Sequence, residues 1–84
     1  MKTHSRTRVG MIIKRAREGK GWTQLELGKM LGFRRGNFLC MIENGKSDLP
    51  FETIPLLSEL LNLDPKEVLR EAMATRYPGL VKYL

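Results

Sequence analysis

Along this 84-residue chain apolar residues recur at three- and four-residue spacings, and no stretch alternates apolar and polar one by one. That periodicity predicts helices and no sheet. Val9, Ile12, Ile13 and Ala16 fall at i, i+3, i+4 and i+7, giving a first helix over residues 7–18 that "GKG" ends. Thr23 and Glu26 carry the spacing of a capping box, and Trp22 with Leu27 that of a hydrophobic staple, so a second helix starts at Thr23. Leu27, Met30 and Leu31 supply its inner stripe before Gly32 breaks it. Gly28 lowers helix propensity by about 1 kcal/mol and is expected to let another helix approach closely. A third helix is expected from residue 36 or 37 to 44, closed by Gly45 in the left-handed conformation. A fourth covers 51–61 with Ile54, Leu57, Leu60 and Leu61 inward. Pro55 requires it either to start near Glu52 or to bend, because proline is comfortable only in a first turn. Asp64 as N-cap and Pro65 at the first position open a fifth, running through Val68, Leu69, Ala72 and Met73 to about 75. The prediction is an all-α, compact bundle of about five short helices.

Charge adds a direction. The chain carries 15 Lys/Arg against 9 Asp/Glu, net +6. Residues 1–36 hold ten Lys/Arg against Glu18 and Glu26, net +8; residues 37–84 hold five against seven acids, net −2. A basic half points to a polyanion. A membrane partner is not expected, because the cations are dispersed over an arm, short segments and a turn rather than along one amphipathic helix. No run approaches the roughly 18 apolar residues of a membrane span. One cysteine, Cys40, excludes an internal disulfide and fits the cytoplasm; it is expected to be a small packed or half-exposed residue. A redox role would need a lowered thiol pKa. His4 is the only histidine, so no metal site or cofactor is expected. No enzyme is expected either: there is no nucleophile–base pair and no glycine-rich phosphate loop.

Helix two, a turn of about four residues and helix three have the spacing of a helix-turn-helix, whose second helix enters the major groove of DNA. Here "KRAREGKGWTQLELGKMLGF" followed by "MIENGKSDLP" resembles the DNA-binding domain of lambda-repressor-like proteins, the Cro/phage-repressor (xenobiotic response element) family. The resemblance spans residues 9–63 and rests on Arg17, "WTQ", "LG" and "IENGK" as a set. It implies that Gln24 bonds a phosphate from the start of helix two, a position where free backbone N–H groups also favour an anion. It implies that Asn44 and Lys46 hold neighbouring phosphates, and that Arg17 and Glu43 form a structural salt bridge.

The segment "FRRGNFLCM" is one residue longer than the family's common form. Counting back from Glu43 makes Leu39 and Ile42 buried and turns Gly36, Asn37, Phe38 and Met41 toward bases. Asn37 then suits adenine, and Phe38 and Met41 suit thymine methyl groups. Two readings stay open for several residues. Asn37 is a base reader or the N-cap of helix three; Phe38 faces the groove or the core. Arg34 and Arg35 reach guanine or grip phosphate, the commoner use of arginine on DNA.

Three segments follow: a basic arm at 1–8, whose Lys2, Arg6 and Arg8 either contact phosphates or belong to a frayed, solvated terminus; the helix-turn-helix domain at 9–63; and a C-terminal helix and apolar tail at 64–84. Leu80, Val81, Tyr83 and Leu84 in that tail are the candidate dimer contact, unless the tail closes over its own core. The function expected is a dimeric, sequence-specific repressor of double-stranded DNA in a bacterial or phage-infected cell. Alternatives are an antitoxin-type autorepressor, whose C-terminal region holds a toxin, or a protein-interaction module that does not read DNA. An antirepressor is a further possible protein partner.

Overall fold

The computed structural model describes residues 7–84, which form five α-helices and two 3-10 turns. Helix α1 spans Arg8–Gly19, α2 Gln24–Met30, α3 Phe38–Glu43, α4 Ile54–Leu61 and α5 Pro65–Arg76. The 3-10 turns cover Phe51–Thr53 and Pro78–Tyr83. Among the described residues no helix is long and apolar enough to cross a membrane.

Local chemistry accounts for most boundaries. Thr7 caps α1 by accepting from Gly10 N at 3.0 Å. Thr23 and Glu26 form the full reciprocal box at α2, with bonds of 3.0 and 2.8 Å. Asp64 caps α5, with Pro65 first in the helix. The first three helices end alike. Gly21, Gly32 and Gly45 take positive φ, and paired backbone bonds close each end, such as Gly45 N→Ile42 O and Lys46 N→Met41 O after α3. This is the Schellman arrangement, which satisfies carbonyls that the helix leaves free. Pro55 sits in the first turn of α4, and the helix proper starts at Ile54, after the 3-10 turn Phe51–Thr53.

Helix α1 is the hub, packing against α3, α4 and α5. Val9, Ile13, Leu27, Leu31, Leu39, Ile42, Leu49, Ile54, Leu57, Leu61, Val68 and Ala72 form one core. Val68 and Ala72 place the inner side of α5 in the same core. Met30, expected inward, is exposed, and so is Leu69.

The close helix approach is not at Gly28. A Cβ there would meet Phe33 and Leu39 at 3.9 and 4.0 Å, ordinary contact. At Gly10 of α1 a Cβ would lie 2.6 Å from the Glu43 carbonyl oxygen and 2.8 Å from that of Ile42. Gly10 is therefore what lets α1 reach the end of α3. Gly28→Ala is expected to stabilise the protein by ~0.5–1 kcal/mol through helix propensity. Gly10→Ala should destabilise it by ~1–3 kcal/mol, because backbone must shift. Urea denaturation of both variants checks the pair.

Candidate nucleic-acid interface

Helix α3 has only six residues and rests on Leu39, Ile42 and Glu43, all buried. Glu43 is 2% exposed, which for a carboxylate demands partners. It has three. Arg17, 8% exposed, donates Nε to Oε2 at 2.7 Å and Nη2 to Oε1 at 3.1 Å. Gln24 Nε2 donates to Oε1 at 2.9 Å. Arg17 Nη1 also donates to the Trp22 carbonyl at 2.8 Å. One carboxylate thus joins the last turn of α1, the link after it, the first residue of α2 and the last residue of α3. Hydrogen bonding to Glu43 raises the Arg17 pKa, outweighing the opposing effect of burial. A raised value in the folded state means that the contribution of this guanidinium persists below its unfolded pKa. It is lost only as pH rises through the folded one, far into the alkaline range.

The connector between α2 and α3 spans residues 31–37, longer than the four-residue turn expected, because neither Gly36 nor Asn37 enters the helix. Asn37 stands at the N-cap position with φ −103° and makes no side-chain cap bond; its side chain is exposed, which removes the capping reading. Gly36 lies beside α2's first turn, since a Cβ on it would be 3.6 Å from Leu25 Cδ1. Phe38 is half-buried, packed edge-to-face on Phe33 with ring centroids 4.8 Å apart, so it belongs partly to each of its two readings. Met41 is half-buried and Cys40 half-buried. Arg34, Arg35 and Lys46 are exposed, and none makes a salt bridge or side-chain hydrogen bond among the described residues. Asn44 donates from Nδ2 to Cys40 Sγ at 3.3 Å.

Phe33 carries no role in the sequence reading, although an aromatic residue inside a polar turn was the available signal. Lys2 and Arg6 lie outside the described residues. Arg8 is not part of an arm: it is the first residue of α1 and pairs with Glu71 of α5 at 3.2 Å. In the C-terminal turn, which packs on α5, Val81 is half-buried while Leu80, Tyr83 and Leu84 are exposed. Leu84 lines a shallow depression with Lys66, Leu69 and Arg70. Arg76 stacks 4.7 Å from the Phe51 ring and pairs with Asp48 at 3.5 Å, tethering the end of α5 to the segment that follows α3.

The buried pair sets a sharp test. Glu43→Gln leaves a buried guanidinium without its counter-charge and should lower stability by ~3–5 kcal/mol. At ~0.1 kcal/mol per residue the whole domain has only about 8 kcal/mol. The double variant Arg17→Met/Glu43→Leu, which removes both charges, should recover part of that loss in urea denaturation.

Comparison with protein families matches residues 10–72, three quarters of the chain, to the helix-turn-helix domain. No curated protein and no solved structure gives a significant match. The matched span includes the capping box, the Arg17–Glu43 pair, α3 and most of α5, and is consistent with the Cro/repressor-like resemblance. The chain belongs to the helix-turn-helix domain family, a family of DNA-binding domains.

Proposed function

We propose that this protein is a sequence-specific transcriptional regulator, a dimeric repressor that lays α3 in the major groove of a pseudo-palindromic operator. The observation that carries the reading is the set of cations without partners among the described residues, Arg34, Arg35 and Lys46, bracketing a helix whose opposite side is held by the core. Cations left unpaired on an exposed rim are suited to phosphate, and neutralising phosphates supplies most of the affinity for DNA.

Individual roles follow from the donors. The Gln24 amide has two N–H groups; one goes to Glu43, and the other is left for a phosphate. Asn44 and Lys46 grip phosphates on the far side of α3. Asn37, with its side chain exposed and uncommitted, makes the paired contact to adenine. Gly36 allows close backbone approach, and Met41 meets a base edge with its apolar side chain. Repression then needs no chemistry, since occupancy of the operator excludes the polymerase. Leu80, Val81, Tyr83 and Leu84 supply the dimer contact, placing two α3 helices about 34 Å apart along the duplex. A toxin or antirepressor on that apolar turn is the second reading, supported by Tyr83 at 75% exposure.

Fluorescence anisotropy on DNA from upstream of the protein's own coding region tests the proposal. With two or three cations per copy on phosphates, a dimer should show a slope of log affinity on log salt of about −4 to −5, at about −0.9 per phosphate. Lys46→Ala should weaken binding to all duplexes alike, whereas Asn37→Ala should relax preference at one base pair by ~1–3 kcal/mol. Binding that is indifferent to salt, or equal on all duplexes, would overturn it. Sedimentation at micromolar concentration is expected to give a dimer that Tyr83→Asp dissociates; a strict monomer would remove the dimer from the proposal.

A further inference from the structure

At the leading end of α3 the connector forms a shallow open depression lined by Gly32, Phe33, Arg34, Arg35 and Phe38. Its apolar wall is the edge-to-face pair of Phe33 and Phe38, with planes at 77°. Both rings are only half-buried, so the core leaves part of each uncovered. The two guanidiniums on the rim have no partner among the described residues, and residues 27–42 contain no Asp or Glu. Such a site rejects cations and suits an anionic ligand that also carries a small apolar group.

The N-terminal residues of a recognition helix are those that reach base edges. In the major groove, DNA offers one apolar group, the 5-methyl of thymine, which 5-methylcytosine also carries. Arginine beside it has guanine O6 and N7 as its commonest base partner. We infer that the Phe33–Phe38 depression receives the 5-methyl group of a pyrimidine, while Arg34 or Arg35 bonds the guanine of the adjacent base pair. The inference rests on the DNA-reading function proposed above and adds to it a specific step and a new specificity residue, Phe33. Met41 lies outside the depression and takes no part in this contact.

The test uses the full chain and the duplex that it enriches from a randomised pool. Each thymine is replaced singly by uracil, which deletes the methyl group and keeps the pairing. One substitution, beside a guanine, should reduce affinity about fourfold, the worth of one buried methyl group. The same substitution should cost nothing in Phe38→Ala or in the milder Phe33→Leu, provided that thermal melting shows each variant folded. Should Phe38→Ala fail to fold, Phe38→Leu replaces it. With cytosine at that position, adding the 5-methyl should restore a similar factor. Arg34→Ala or Arg35→Ala should erase the preference for the neighbouring guanine. Uracil tolerated at every position, a methyl effect unchanged in both phenylalanine variants, or cytosine and 5-methylcytosine bound alike would overturn the inference while sequence-specific binding stands. Failure to enrich any duplex would instead overturn the DNA-reading function itself.

Discussion

A carboxylate sealed beneath the outward helix governs the geometry of this protein. Water cannot solvate Glu43, so its charge is tolerable only where Arg17 and Gln24 meet it at 2.7–3.1 Å. Those partners come from two other helices, so their relative placement is fixed by the need to satisfy one anion. Helix α3 could not hold itself: six residues are far short of the ~12–15 at which an isolated helix is even marginal in water. Its shape is imposed by Leu39 and Ile42 below, by the Glu43 network at its end and by α1, which Gly10 admits to backbone distance.

The same logic extends past the helix end. Gly45 reverses the chain, and Lys46 and Ser47 both donate their backbone N–H groups to the Met41 carbonyl, at 2.8 and 3.2 Å. Lys46 therefore has a fixed base on a mobile four-carbon stem. Arg34 and Arg35 stand on a connector anchored by Phe33, whose N–H bonds the Gly28 carbonyl at 2.9 Å. A rigid backbone with uncommitted cationic tips limits the ordering cost of binding to side chains.

Signals lying within a few residues of one another were legible in the sequence. The Thr23–Glu26 box, the Asp64–Pro65 start and the glycines that end α1, α2 and α3 are each determined by neighbours along the chain, and all appear as read. Features that depend on how helices cross were not. Periodicity says that Gly10 and Gly28 are both helical, but only the crossing decides which one a neighbour touches. Met30 and Leu69 lie on apolar stripes wider than the contact that each helix makes, so they emerge at the surface. Arg8 reads as part of a basic arm because Glu71, its partner, is 63 residues away. The Asn37 amide suits a cap or a base equally along the sequence, and the longer connector leaves it outside the helix with ψ at 5°, not the extended value of a capping residue, and no side-chain bond to the helix.

The charge asymmetry of the chain takes on a structural meaning once α5 is seen to be core. Val68 and Ala72 are buried in the same cluster as Leu39 and Ile42, so the C-terminal helix and α3 belong to one packed body. Close-packed interiors have low compressibility, so a displacement at one side is passed across to the other. A partner seated on the exposed turn after α5 would consequently move or fix α3 as a unit, and Arg76, held on Asp48 and Phe51, adds a second tie near Lys46. For a dimer joined there, the separation of the two recognition helices is a property of the fold rather than of a linker. Half-site spacing would then be as narrowly specified as the base contacts themselves, because a duplex with the wrong spacing can satisfy only one of the two copies.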